Sequence, residues 1–157
     1  MKLLEIKIDI REDKFPDLSY LGKFGDEWKK YAIDRKQRGT WNRGEYRYFY
    51  PACEPMKFMT SKEKHVAWKD CERDFERMER YERGNWTLLE IEAVARIEIN
   101  GGIEEVTSGF LGGIESDSGD DYIQDIKLEQ LEELKSILKE MGFTTEEIEE
   151  IKVEGIE

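Results

Sequence analysis

Four carboxylates lie within seven residues around a glycine, close enough together to act on one ligand. They are Glu115, Asp117, Asp120 and Asp121. Carboxylates this close together are able to share a hard cation such as Mg²⁺ or Ca²⁺, and a bound Mg²⁺ would support hydrolytic chemistry. The spacing is not that of an EF-hand, because the twelfth position counted from Glu115 is Ile126 rather than glutamate. A metal-dependent hydrolase or nuclease is therefore one hypothesis for this segment.

The same segment also has the pattern of a helix start. Asp117 or Ser118 is placed to cap the helix that follows. Asp120 and Asp121 would then lie in its first turn, where acids favour the positive end of the helix macrodipole. This structural interpretation is preferred over a metal site, so no cofactor is expected and the metal-dependent enzyme remains an alternative.

A second candidate site is the string RGEYRYFY at residues 43–50, where arginines and tyrosines are interleaved. Aromatic rings stack on unpaired bases and arginines neutralise phosphates, so Arg43, Tyr46, Arg47 and Tyr48 would suit single-stranded nucleic acid. The surplus negative charge of the chain opposes that affinity. A strand with one buried aromatic face is the preferred interpretation, and nucleic acid is not the expected partner.

The charge of the chain is concentrated toward one end. The net charge is −12, but residues 98–157 alone hold 18 acidic and 4 basic side chains, which gives −14. Such a segment repels phosphate and attracts a basic protein surface. With no catalytic cluster visible, the pattern favours a non-enzymatic interaction module over an enzyme. The acidic residues expected to contact the partner are Glu132, Glu133, Glu140 and Glu147.

A basic segment precedes the acidic one. Residues 28–48 hold seven basic and two acidic side chains, together with two tryptophans that no periodicity explains. If exposed, Trp28 and Trp41 would be interface anchors beside Arg43 and Arg47, because tryptophan and arginine dominate binding hot spots. The oligomeric state is left open.

The histidine and the cysteines do not form a recognisable site. His65 is the only histidine, and Cys53 and Cys71 lack the paired spacing of a zinc ligand set or a disulfide framework. Cys71 lies in the middle of an apolar helical stripe, which is typical of a small buried residue.

The elements that would position these residues are predicted from periodicity. Alternating apolar residues indicate strands over residues 4–10 and 86–99, and an aromatic run indicates another over 45–50. Asn100-Gly101-Gly102 predicts a tight hairpin whose second strand returns to about residue 111. Apolar stripes predict helices over 61–83 and 119–141, and a short last helix after Thr144. A phase shift in the second stripe near 126–128 indicates a bend or two abutting helices. The order β-β-α-β-β-α predicts a single α+β domain over residues 1–157, with an antiparallel sheet of about four strands and helices packed on one face.

The longest apolar runs are far too short to cross a bilayer, and the opening MKLLEIKIDI carries acids where a secretory signal is uninterruptedly apolar. We therefore expect a protein without membrane association, located in the cytoplasm.

Several strings resemble a known family when taken together. They are PDLSYLG (16–22), YAIDR (31–35), RGEYRYFYPA (43–52), GNW (84–86), and LGGIESDSGDDYI (111–123) followed by EQLEELKSILKEMGF (129–143). The chain resembles a family of small uncharacterised proteins of phages, plasmids and other mobile elements, in which a GIESDS string precedes a Glu- and Leu-rich helix. The resemblance implies a role in mobile-element biology inside a host cell, such as antagonism of a host defence system or help with replication. It implies no catalytic residue or cofactor.

Overall fold

The computed structural model describes residues 1–156. In chain order the elements are β1 (Lys2–Glu12), β2 (Gly22–Gly25), β3 (Ile33–Asp34), α1 (Arg35–Arg38), β4 (Tyr48–Pro51), α2 (Ser61–Glu82), β5 (Leu88–Ile99), β6 (Gly102–Thr107), β7 (Leu111–Glu115), α3 (Asp120–Met141), α4 (Thr145–Glu149) and β8 (Val153–Glu154). The α+β class is confirmed.

The chain divides into two compact units, which are described separately. The first unit contains residues 1–16 and 86–156, and the second contains Asp17–Asn85. The sequence predicts one sheet with all helices on one face, whereas the structure has a five-stranded and a three-stranded sheet. Helix α2 belongs to the second unit, and α3 and α4 belong to the first. The expectation of a single domain stays a prediction.

The sheet of the first unit is built around two long strands. Its order is β6-β5-β1-β8, with β7 also paired to β5, and every pairing is antiparallel except that of β1 with β8. Strand β5 is buried on more than the one side that its period predicts, because Leu88, Glu90 and Val94 are buried as well. The alternate residues Ile91, Ala93 and Ile97 share one buried side of the strand. These side chains join residues of α3 and α4 in one apolar core.

The hairpin between β5 and β6 is confirmed at the predicted position. Asn100 and Gly101 have φ angles of 51° and 78°, and this left-handed conformation at both central residues is what a tight type I′ turn requires. The returning strand ends at Thr107, and the chain then forms a separate strand, β7, at Leu111–Glu115. The predicted continuous return to about residue 111 is therefore interrupted.

Helix α3 runs without interruption over Asp120–Met141, so two abutting helices near residues 126–128 are excluded, and a bend there stays a prediction. The expected phase shift came from placing Leu128 in the stripe, but Leu128 is exposed. Without it, one stripe continues along the helix at intervals of three and four residues, through Ile123, Ile126, Gln130, Leu134 and Leu138.

The second unit packs a small sheet against α2. Its strands are in the order β2-β4-β3, all antiparallel. The ring of Phe49 is fully buried in β4, and its centroid lies 5.3 Å from that of Phe24 and 5.6 Å from that of Phe75 on α2.

Thr60 caps α2 by accepting a hydrogen bond from the Glu63 backbone N–H, as the capping spacing predicts. The strand predicted at 45–50 is observed as Tyr48–Pro51 in this sheet.

No helix within residues 1–156 combines the length and the apolar character needed to cross a membrane.

The start of α4 allows a direct stability test. Thr144 and Glu147 form a capping box, in which Thr144 Oγ1 accepts from the Glu147 N–H and Glu147 Oε2 accepts from the Thr144 N–H at 2.7 Å. We expect Thr144→Ala to lower the free energy of unfolding by about 1 kcal/mol, measured by urea denaturation. Thr145→Ala is the matched control, because the Thr145 side chain is not part of the cap. Equal losses in the two variants would contradict the role of the cap.

Candidate functional site

The candidate site is the outer surface of α3 and α4, which we call the acidic face. It comprises exposed carboxylates of the two helices, namely Asp121, Asp125, Glu129, Glu132, Glu133, Glu140, Glu146, Glu147 and Glu149. Residues 120–156 hold twelve acidic and four basic side chains in all. The surface is therefore strongly negative along the length of both helices.

The apolar stripe of α3 determines the direction in which these carboxylates point. Leu134 and Leu138 are fully buried against the sheet, so residues half a turn away, such as Glu132 and Glu140, must lie on the opposite side of the helix. A polar contact also holds the helix in register. Ser108 Oγ donates a hydrogen bond to the buried Gln130 Oε1 at 2.8 Å, and the Ala93 N–H donates to the same hydroxyl at 3.0 Å.

The acidic residues predicted as partner contacts do not all have the same role. Glu133 and Glu140 are exposed and make no ion pair within residues 1–156. Glu132 lies 3.4 Å from Lys135 Nζ, an exposed pair one turn apart. Such pairs contribute little stability. Glu147 is exposed but also closes the capping box with Thr144. All four carboxylates therefore lie on helix surfaces, and one of them also has a structural role.

The charged face of the sheet in the same unit has a different character. Arg11 lies between two carboxylates, with its Nε 2.8 Å from Glu90 and its Nη1 2.7 Å from Glu92. Those hydrogen bonds raise the pKa of the Arg11 guanidinium. Arg96 lies 3.5 Å from Glu5. The strands thus carry cations beside their acids, which distinguishes this face from the acidic face.

Three of the four arginines of the basic segment 28–48, namely Arg35, Arg38 and Arg47, have carboxylate partners within the second unit. Arg38 lies 3.0 Å from Glu72 on α2. Arg47 contacts both carboxylate oxygens of Asp34, at 2.9 Å and 2.8 Å. This bidentate contact lowers the pKa of the Asp34 carboxyl and holds the guanidinium against the protein. Three of the seven cations of this segment are therefore paired locally.

Arg35 is the most deeply placed of these arginines, and the sequence patterns do not single it out. Its side chain is only 2% exposed. It bonds to Glu79 at 2.9 Å, to Glu45 and Glu82 at 3.0 Å each, and to the Tyr46 carbonyl at 3.0 Å. Burial opposes its charge, but the carboxylates of Glu79 and Glu82 outweigh that effect and raise the pKa of Arg35. No signal in the sequence marks this arginine as buried.

The remaining aromatic and basic candidates differ in exposure. Trp28 is 69% exposed and remains available as an anchor. Trp41 is half-buried and its indole N–H donates to the Glu45 carbonyl at 3.0 Å. Arg43 and Tyr46 are exposed, whereas Tyr48 is half-buried in β4 with the Arg47 guanidinium 5.1 Å above its ring. The structure therefore does not present these residues as one exposed row.

The 115–121 segment starts α3 in a way the sequence did not predict. The N-cap residue is Gly119, so neither Asp117 nor Ser118 occupies the N-cap position that the sequence predicts. Ser118 Oγ instead donates back to the Glu115 carbonyl at 2.6 Å. Asp120 and Asp121 do lie in the first turn. Within residues 1–156 no group of three or more histidine, cysteine or acidic side chains is placed to hold a metal ion.

Comparison of the chain with protein-family models, with curated proteins and with solved structures finds no match.

Proposed function

We propose that this protein is a non-enzymatic interaction module of a mobile element, which binds a host protein, such as a defence protein, through a basic surface of that partner. The single observation that carries the proposal is the acidic face, an outward row of carboxylates on two packed helices with few cations among them. The carboxylates need no rearrangement to meet a partner, because the core beneath α3 fixes their direction.

Electrostatic attraction explains what such a surface does for binding. The field of surface charges extends roughly 8–10 Å at physiological salt, so a basic partner is drawn and oriented before contact. Complementary charges raise association rates by about 10 to 1,000-fold, and the effect falls as salt screens it. The expected signature is therefore an affinity that weakens with salt, mainly through the association rate.

The local pairing of the basic segment supports this assignment over nucleic-acid binding. Arg47 is held by Asp34, and Arg35 is enclosed by carboxylates of its own unit. A nucleic acid would have to compete with these carboxylates, and the net charge of −12 would repel its phosphates. A basic protein surface meets neither obstacle.

The test compares two variants of equal net charge. In the face variant, Glu129, Glu132, Glu133 and Glu140 are replaced by lysine, and Glu147 is left intact because it caps α4. In the control variant, Asp26, Glu27, Glu54 and Glu76 are replaced by lysine, since they are exposed and lie in the second unit. Each immobilised protein is incubated with host extract, and retained proteins are identified by mass spectrometry.

We expect a host protein that the wild type and the control variant retain and the face variant does not. Titration of that purified protein should then show at least a roughly tenfold loss of affinity in the face variant at about 0.1 M salt, and a smaller difference at about 0.5 M. Retention of the same proteins by all three forms, or of none by any, would overturn the proposal. Circular dichroism of each variant confirms that it is folded.

A further inference from the structure

Two cysteines of the second unit are in contact, although they are 18 positions apart in the chain. Cys53 is exposed in the connection between β4 and α2, and Cys71 is fully buried on α2. The Cys71 thiol donates a hydrogen bond to the backbone carbonyl oxygen of Cys53. The Cys71 sulfur therefore lies directly against the residue that carries the other thiol.

The surroundings of the two thiols give them different roles. Burial raises the pKa of the Cys71 thiol to about 11, with Asp74 and Cys53 itself adding to the shift. Cys71 therefore remains protonated near neutral pH and is shielded from solvent. Cys53 is the thiol that a dissolved reagent meets first, because it is exposed.

The backbone around Cys53 allows the sulfurs to approach. Strand β4 ends at Pro51, and α2 begins only at Ser61, so Cys53 lies outside any strand or helix. A disulfide requires a Cα separation of about 4.4–6.8 Å and a particular torsion about the S–S bond. A residue outside regular structure can reach that torsion by local rotation, without breaking the pairing of β4 or the hydrogen bonds of α2.

We propose that Cys53 and Cys71 form a redox-modifiable pair, which small disulfides of the glutathione type convert into an intramolecular disulfide. The Cys53 thiolate attacks one sulfur of the small disulfide, forms a mixed disulfide and releases one small thiolate. Cys71 then attacks the Cys53 sulfur, and its thiol proton passes to the departing small thiolate, which leaves as the second small thiol. The protein loses two electrons and two protons, and the small disulfide is reduced to two thiols.

The bond would tie the connection 52–60 to α2. That connection exposes Met56 and Phe58, the latter with 83% of its surface accessible. The oxidised form would hold these apolar side chains against the helix, whereas in the reduced form no disulfide links the connection to α2. The bond would also restrict the unfolded chain, so the oxidised form should melt at a higher temperature.

The experiment uses the full-length protein and oxidised glutathione as the probe. After incubation and acid quenching, digestion without reductant and mass spectrometry identify the bonded cysteines. We expect a Cys53–Cys71 peptide pair in the wild type, a glutathione adduct on Cys53 in Cys71→Ala, and neither product in Cys53→Ser. Thermal melting of the oxidised and reduced wild type should show the higher transition in the oxidised form.

Two results would overturn the proposal. One is a wild-type protein that accumulates the glutathione adduct on Cys53 and no internal bond. The other is a bond between chains, which gel filtration without reductant would show as a dimer. The Cys71→Ala adduct keeps the test informative, because it reports the reactivity of Cys53 even when the second step fails. None of these readouts depends on the acidic face, so a failure of this proposal is distinguishable from a failure of the proposed function.

Discussion

Arg35→Met is expected to lower the free energy of unfolding of the second unit by about 3–5 kcal/mol, because removal of one partner leaves a buried charge without compensation. Arg35 is the first residue of α1, directly after β3, and reaches across to α2, where Glu79 is itself only 5% exposed. After the substitution, Glu79 would keep the Thr40 hydroxyl at 3.1 Å and the more distant Arg83 at 3.6 Å.

Urea denaturation followed by tryptophan fluorescence measures this loss. The signal reports mainly on the second unit, because three of the four tryptophans, Trp28, Trp41 and Trp68, lie within it. Arg38→Met is the matched control. Arg38 belongs to the same short helix and also pairs with a glutamate of α2, but that pair is exposed and should contribute at most about 1 kcal/mol. Similar losses in the two variants would show that burial does not determine the effect.

A second substitution distinguishes the loss of the Arg35–Glu79 attraction from the cost of leaving the buried Glu79 carboxylate without its partner. Replacing both Arg35 and Glu79 by methionine removes the buried carboxylate along with its partner. Apolar replacements of a buried ion pair are often neutral, so we expect the double variant to be more stable than Arg35→Met alone. A further loss in the double variant would mean that Glu79 is stabilised mainly by its other contacts.

Local patterns are sufficient to predict the elements whose signal lies in their own residues. The alternation in β5 marks a strand, and the stripe through Cys71, Phe75 and Met78 marks α2, because burial of one side of each element imposes its period on the sequence. The hairpin turn at Asn100 and Gly101 is equally visible, since positive φ angles restrict the residue types that fit.

The pairing of distant segments is not predictable in the same way. The five-stranded sheet includes β8, a strand of two residues whose partners lie in β1, and so short a segment carries no period. Arg35 is buried because carboxylates from two other segments surround it, and a single arginine in a charged stretch looks like a surface residue. The helix cap at Gly119 replaces the expected side-chain cap for a similar reason, because the Ser118 hydroxyl bonds back to Glu115 instead.

The sequence predicts the negative charge of the acidic face but not the role of each of its carboxylates. The excess of carboxylates after residue 98 is by itself enough to indicate a negative surface. Their division into exposed residues such as Glu133 and a capping residue such as Glu147 depends on where the helices begin and on which side meets the sheet. The exposed position of Leu128 depends on the same packing.

The acidic face is built on the apolar core beneath α3, so Leu134→Ala should weaken the support of the candidate site. Leu134 is 0% exposed and belongs to the core formed with the sheet. Truncation of a buried leucine removes apolar contacts and leaves a cavity, which costs about 2–5 kcal/mol. We expect a loss of unfolding free energy within that range.

Leu128→Ala on the same helix is the matched control for this prediction. Its side chain is 42% exposed, so truncation should change the stability by about 0.5 kcal/mol or less. Amide hydrogen exchange read by mass spectrometry locates the effect, and Leu134→Ala should raise exchange in α3 and β5 together, because the two elements share one core. Comparable losses in both variants would place Leu128 inside the apolar stripe, and the outward direction of the carboxylates would then have to be reassigned.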